Sequence, residues 1–264
     1  MKGQIFSRAA LAVVMLSGSS QVLADDFAKL DQALPTQTDA SSIAPVFDFD
    51  SDSCLPSAGV SRSGEQNGGL KPSGGLTSGC RSENFLDLSN SYHRYACIES
   101  DGDQYCGHFY ALYFLKDQIL DGIESGHRHD WEHVAIWTKN GTVTHGSYSA
   151  HGDLTTEAKA DLDSEGDHIK FVYHKDGLLT HAMRFSKTDE QAENPYGEFV
   201  TPEIVSWYSM EGDSVSNSEL RNKLNTFDYG SANVPIKDSN FLTNLNDGKP
   251  DSYPTFTSDS VTNA

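Results

Sequence analysis

The sequence predicts a mainly β fold, a central β-sandwich with helices packed outside it, and three observations carry that reading. Short runs rich in aromatic and β-branched residues recur between turn signals, at 108–115, 131–138, 142–144, 169–173, 180–185 and 203–208. The first of these, His108-Phe109-Tyr110-Ala111-Leu112-Tyr113-Phe114-Leu115, is almost unbroken in apolar character, as a strand buried on both faces requires. Helical periodicity is confined to short stretches, Asp25 to about Ala44, Asn217 to Asn225 and Ser239 to Leu245, too few for an α/β layer architecture.

At the N-terminus Lys2 and Arg8 precede a short apolar run, Ala9 to Leu16, and the small-residue sequence Val22-Leu23-Ala24. This is the pattern of a signal peptide over 1–24, so a secreted chain beginning at Asp25 is expected. No later stretch reaches the roughly 18 uninterrupted apolar residues of a membrane helix. Residues 25–50 are expected to form an N-terminal helix, with Phe27, Leu30 and Leu34 at helical spacing, followed by Pro35 and a linker. The single sandwich domain then spans 51–246, and 247–264 reads as a polar C-terminal tail, extended or frayed.

Within the domain, 51–84 is loop-like, punctuated by Gly68-Gly69 and Gly74-Gly75. In 131–138, alternation sends Val134 and Ile136 to one face and His133, Ala135 and Trp137 to the other. Asn140-Gly141 then marks a hairpin turn, and that reading outweighs the glycosylation sequon Asn140-Gly141-Thr142 that the same residues form. The chain carries 38 acidic against 19 basic residues, a formal net charge of −19. Such a balance argues against nucleic acid and against nonspecific attraction to an anionic membrane. Four cysteines, Cys54, Cys80, Cys97 and Cys106, suit two disulfides in an exported protein. Three pairings are open, and the nearest-neighbour one would stabilise the fold by about 3 kcal/mol through its first loop. A thiolate zinc site is the rival, but the spacing has no C-x-x-C pair.

The chemistry concentrates between Asp117 and His133. An extended chain from Asp130 projects Asp130 and Glu132 to one face. A turn at Gly126 could bring His127 to the same point, and Asp117 would supply a third carboxylate from the neighbouring strand end. Carboxylates so close repel unless a cation lies between them, and an oxygen-rich set suits Ca2+ or Mg2+. Two competing readings are a solvated acidic strand end paired with Lys116 and Arg128, and a zinc hydrolase site using His127, His129 and His133 with Glu132 as base. No G-x-S-x-G elbow is present.

Gly126-His127-Arg128-His129-Asp130-Trp131-Glu132 resembles the heptapeptide that marks the necrosis- and ethylene-inducing-like proteins. The run Tyr110 to Gln118 and the segment Val234-Pro235-Ile236-Lys237-Asp238-Ser239-Asn240-Phe241 are similar to two further signatures of that family, so the likeness covers roughly Cys54 to Leu245. The cysteine pairs resemble the subtype with two disulfides. The resemblance implies a β-sandwich like that of the actinoporin-type cytolysins, with a divalent cation in an acidic cavity at one end. It implies that Asp117 and Asp130 hold the ion directly and that His127 and Glu132 reach it through water. Gly126, Arg128, His129, Trp131 and His181 would belong to the motif and head-group cavity. The implied partners are glycosylated inositol phosphorylceramide lipids, met by peripheral membrane contact, with a monomer in solution and no enzymatic turnover. A hydrolase of surface glycans or lipids and a non-lytic carbohydrate-binding protein are the alternatives. The sequence departs from the family in a loop from Asp117 to Gly126 that is about two residues longer than in its best-known members. The stretch His174 to His181 also lacks the tryptophan of some relatives.

Overall fold

The computed structural model describes residues 27–262; the expected signal peptide lies outside the described residues. Ten strands follow one another along the chain: β1 (Val46–Phe49), β2 (Asn90–Ser100), β3 (Asp103–Gln118), β4 (Gly126–Lys139), β5 (Thr142–Ala150), β6 (Asp153–Ala158), β7 (Ser164–Glu165), β8 (His168–Lys175), β9 (His181–Phe185) and β10 (Glu203–Ser206). Three helices come last: α1 (Asn217–Thr226), α2 (Phe241–Gly248) and α3 (Ser258–Thr262). Six strands form one sheet in the order β10-β2-β3-β4-β5-β6, and β1, β8, β7 and β9 form a second. Strands β2 to β6 are antiparallel neighbours in sequence, joined at three hairpins by Asp101-Gly102, Asn140-Gly141 and His151-Gly152. All six of these turn residues have positive φ, from 51° to 93°, the geometry that matches strand twist in two-residue turns. Asn140 is committed to its turn: its side chain accepts from Gln104 N and donates to Asp103.

The apolar run of β3 is buried on both faces, as its composition predicts. Tyr110, Leu112 and Phe114 meet Phe47, Phe49, Phe171 and Tyr173 of the second sheet. Phe109, Ala111 and Tyr113 face the other way, into a layer closed by Leu220 and Leu224 of α1 and Phe241 and Leu245 of α2. Each such side chain contributes about 1.5–3 kcal/mol on burial, so β3 is the member shared by two cores. In β4, Val134 and Ile136 join the first core and Ala135 and Trp137 the second, as alternation requires. Helix α1 starts on a capping box, Ser216 with Glu219.

The cysteines pair as nearest neighbours, Cys54–Cys80 and Cys97–Cys106. The second bond links residues directly opposite in the β2–β3 register. No cysteine remains free, which removes the thiolate zinc reading.

The two ends differ from expectation. Residues 27–44 are not helical: the chain runs extended, with Ala33 N donating to Ile204 O and Ser206 N donating to Ala33 O at the edge of β10. The buried amide of Asn90 pairs with both Leu30 N and Leu30 O. A short isolated helix is marginal, and here Asn90 and the free edge of β10 offer the backbone fixed partners instead. At the other end, the expected frayed tail folds back. Tyr253 and Phe256 are buried against Trp137, the Tyr253 hydroxyl bonds Thr144 Oγ1 at 2.6 Å, and Phe256 N donates to Asn246. Because Phe256 fills the second core, Phe256→Ala is expected to lower unfolding free energy by about 3 kcal/mol. Denaturant melts with unchanged stability would mean that this segment does not pack.

Candidate metal centre

Asp117, near the end of β3, stands opposite His127 in the β3–β4 register, and Asp130 lies opposite Phe114. One ligand atom each from Asp117, His127 and Asp130 comes together within 4.8 Å. Strict alternation would send His127 and Asp130 to opposite faces. The chain between them passes through His129 at φ 64°, a left-handed conformation that interrupts the alternation. The reversal therefore sits at His129 rather than only at Gly126, where the sequence placed it. Gly126 has another duty: a Cβ there would lie 2.1 Å from Asp117 O, so only glycine lets the two strands approach beside the site.

Each carboxylate is oriented by a neighbour. Asp117 accepts from His181 N at 3.1 and 3.0 Å and from His181 Nδ1 at 2.7 Å. Asp130 accepts from the Tyr173 hydroxyl at 2.7 Å, and Glu132 accepts from Ser149 Oγ. His127 Nδ1 donates to His129 O at 2.7 Å, which in the neutral ring leaves the lone pair on Nε2, 3.9 Å from Asp117 Oδ2. Asp117, Asp130 and Glu132 are 1%, 5% and 9% exposed. Burial first, and the Asp117 charge second, push Asp130 up to about 7. Burial and then Asp130 push Glu132 well above the usual carboxylate range.

The solvated ion-pair reading fails on geometry. Lys116 Nζ is turned away to Gly75 O and Gln118 Oε1, and Arg128 donates to Gly68 O and Gly69 O. With neither base at the carboxylates, the Asp117–Asp130 repulsion alone is on the order of 3 kcal/mol at an effective dielectric constant of about 20. Two carboxylates and a ring nitrogen lone pair, all acceptors facing one point, are a donor set that a divalent cation fits. The zinc arrangement of three histidines is not assembled: His129 Nδ1 lies 2.6 Å from the Tyr113 hydroxyl and His133 stacks on Phe109.

The cavity around this group has a volume of about 390 Å³. His181 and Trp131 line it, whereas Gly126, Arg128 and His129 belong to the strand beside it. Sequence reasoning missed Tyr173 and the role of Ser149. Alternation in the 169–173 strand was the available signal for Tyr173; nothing local pointed to Ser149. A second cavity of about 460 Å³, lined by residues such as Phe27, Leu55, Leu70 and Leu115, is mostly apolar, and among the described residues no cluster that could hold an ion lines it.

Two packed sheets, flanking helices and an acidic cavity at one rim define a β-sandwich with a candidate cation site. Residues 37–248 match the family model described as Necrosis inducing protein (NPP1). The chain belongs to the necrosis-inducing protein family. It is 32% identical over 208 residues to NLP effector protein 2 of Phytophthora capsici, covering 75% of this chain and 74% of that one. A solved structure described as a toxin fold as basis for microbial attack and plant defense aligns with TM-score 0.68 and 27% identity, over 86% of this chain and 98% of that one. NLPPya in complex with mannosamine aligns with TM-score 0.67 and 28% identity, over 87% and 99%.

Because Asp130 is held protonated to higher pH in the fold than in the unfolded chain, its contribution to stability is full below about pH 4 and is lost as pH rises through about 7. Thermal melts in chelator are expected to show Tm falling across that window, and millimolar Ca2+ or Mg2+ at neutral pH to restore it. Asp130→Asn is expected to flatten the pH dependence and abolish the metal response. A metal response undiminished in that variant would remove Asp130 from the site.

Proposed function

We propose that this necrosis-inducing family member is a secreted effector that uses a divalent cation to bind a sugar head group of a sphingolipid and damages the membrane that carries it. The observation that carries the proposal is the inward-facing set Asp117, His127 and Asp130, which neither Lys116 nor Arg128 neutralises. A bound Ca2+ or Mg2+ supplies positive charge and coordination positions open to sugar hydroxyls. In this reading Asp117 and Asp130 hold the ion, with His127 beside them and Glu132 ordering water or hydroxyl groups at the cavity wall. His181, Tyr173 and Ser149 keep the carboxylates aimed, and such outer partners commonly change affinity 10- to 100-fold when removed. That a relative was solved with mannosamine supports a sugar as the recognised group.

Contact with a bilayer is proposed for the loops flanking the cavity. Leu120 and Ile123 lie between β3 and β4, and Leu178 and Leu179 between β8 and β9, all exposed. Each pair sits on a loop that adjoins a strand bearing a cavity residue, Asp117 near the end of β3 and His181 at the start of β9. Among the described residues no helix is long and apolar enough to cross a membrane, so the proposed contact is peripheral. A monomer in solution and stoichiometric binding rather than turnover complete the proposal.

Dye release from vesicles containing plant glycosylated inositol phosphorylceramide tests it. Leakage is expected with wild type and cation, and to fall at least tenfold with chelator, Asp130→Ala or Glu132→Ala while circular dichroism is unchanged. Undiminished leakage from both variants, or glycan product accumulating past one equivalent per protein, would refute it.

A further inference from the structure

Away from the acidic rim, a cavity of about 520 Å³ is built around positive charge, in a chain whose formal net charge is −19. It lies in the helical layer, where Arg94 of β2 and Arg221 of α1 border it together with Tyr208, Asp238, Leu242 of α2 and Val261 of α3. Arg94 stands opposite Phe109 in the β2–β3 register, eight residues along β3 from Asp117. At about 3.3 Å per residue, roughly 26 Å of strand separates this cavity from the carboxylate cluster.

The two arginines are held differently. Arg94, 3% exposed, has its guanidinium 4.7 Å from the centre of the Trp207 ring and 4.6 Å from that of Phe241. Its Nη1 donates to Ile236 O at 2.7 Å and lies 2.9 Å from Asp238 Oδ1. Its charge is met within the fold, and it forms a fixed floor. Arg221 is part-buried and also sits over the Trp207 ring, at 5.5 Å, yet its guanidinium has neither a carboxylate nor a carbonyl partner among the described residues. Both arginines act on one point, the Tyr208 hydroxyl, which donates to Tyr95 O: burial raises it most, and Arg94 and Arg221 each pull it down. Arg94, Arg221 and Asp238 together give the wall a net charge of +1. Part-buried Leu242 and Val261 and the Tyr208 ring complete it with apolar surface.

An open guanidinium beside an aliphatic wall selects for a carboxylate on an apolar body. Arginine presents its donors in a planar fork that matches a carboxylate bidentately. A single net positive charge meets a monoanion, whereas a phosphate dianion is opposed by Asp238 and by the field of an acidic chain. The volume lies within the usual range of small-molecule pockets. We infer that this cavity is a binding site for a free small carboxylic acid, its carboxylate held by Arg221 above the Arg94 floor and its hydrocarbon body lying on Leu242, Val261 and the Tyr208 ring. The site stands apart from the cation cavity and does not depend on an ion being bound there.

Calorimetry and 15N spectra of the protein titrated with butyrate, hexanoate and phenylacetate, with their primary amides and with inorganic phosphate, test the site. At least one acid is expected to bind tenfold or more tightly than its amide and than phosphate, and to shift the Trp207 indole resonance. Arg221→Gln should remove that preference and leave Tm unchanged. No binding by any acid, equal affinity for acid and amide, or a preference that survives Arg221→Gln would sink the site. Phosphate bound as tightly as every acid would overturn the assignment to carboxylates, and a peptide with a free terminal carboxylate bound tenfold tighter than the best acid would overturn the free acid as occupant.

Discussion

The arrangement of this protein turns on the burial of three carboxylates, Asp117, Asp130 and Glu132, at one end of a β-sandwich whose interior is aromatic. Taking charges out of water is costly, and close like charges add to the cost. The fold offsets part of it with hydrogen bonds from Tyr173, His181 and Ser149, and burial together with the neighbouring carboxylates holds Asp130 and Glu132 protonated to higher pH. The Phe114 ring stacks on Tyr173 at 3.8 Å, fixing from below the hydroxyl that reaches Asp130. Core packing and site geometry are therefore one structure, and a change under the site is a change in it.

Strand β4 shows how one segment meets both demands. Its C-terminal half is ordinary sheet, paired on both sides and buried on both faces. Toward its N-terminus the backbone ladder to β5 ends at Val134, the Ser149 hydroxyl bonds His133 in its place, and His129 turns into the left-handed region, so the same backbone becomes a cavity wall. Within the heptapeptide the duties divide. His127, Asp130 and Glu132 face the cavity, while Gly126 permits close approach, Arg128 ties down the glycine loop at 68–69, and His129 locks to Tyr113. Trp131 packs among Tyr92, Tyr113 and Tyr229 and still borders the cavity.

Much of the sheet was legible. The apolar run of β3, the alternation of β4 and the Asn140-Gly141 turn each report a local rule of backbone geometry, and the structure obeys all three. Asp101-Gly102 carried the same hairpin signal and went unread, and β2 went with it. Its residues, such as His93, Arg94 and Tyr95, look polar because they form buried contacts no pattern announces: His93 against His108 at 3.3 Å, and Arg94 onto Ile236 O and over the Trp207 ring. The helical spacing of Phe27, Leu30 and Leu34 misled because a short amphipathic pattern is equally an extended chain seeking an edge, and Asn90 and β10 supplied one. The tail misled in the opposite sense: two aromatic anchors, Tyr253 and Phe256, outweigh its polar average.

The sequence by itself determined the fold class, the hairpin that ends β4, the pairing of Asp130 with Glu132 on one face, and a residue set whose chemistry calls for a hard cation. These follow from side-chain type and backbone periodicity, which act over a few residues. Only the tertiary structure decided that Lys116 and Arg128 turn away, that His181 clasps Asp117 from 64 positions along the chain, and that the cavity opens both faces of β4. Those outcomes depend on which distant surfaces bury each other at least cost, and no local pattern encodes that comparison.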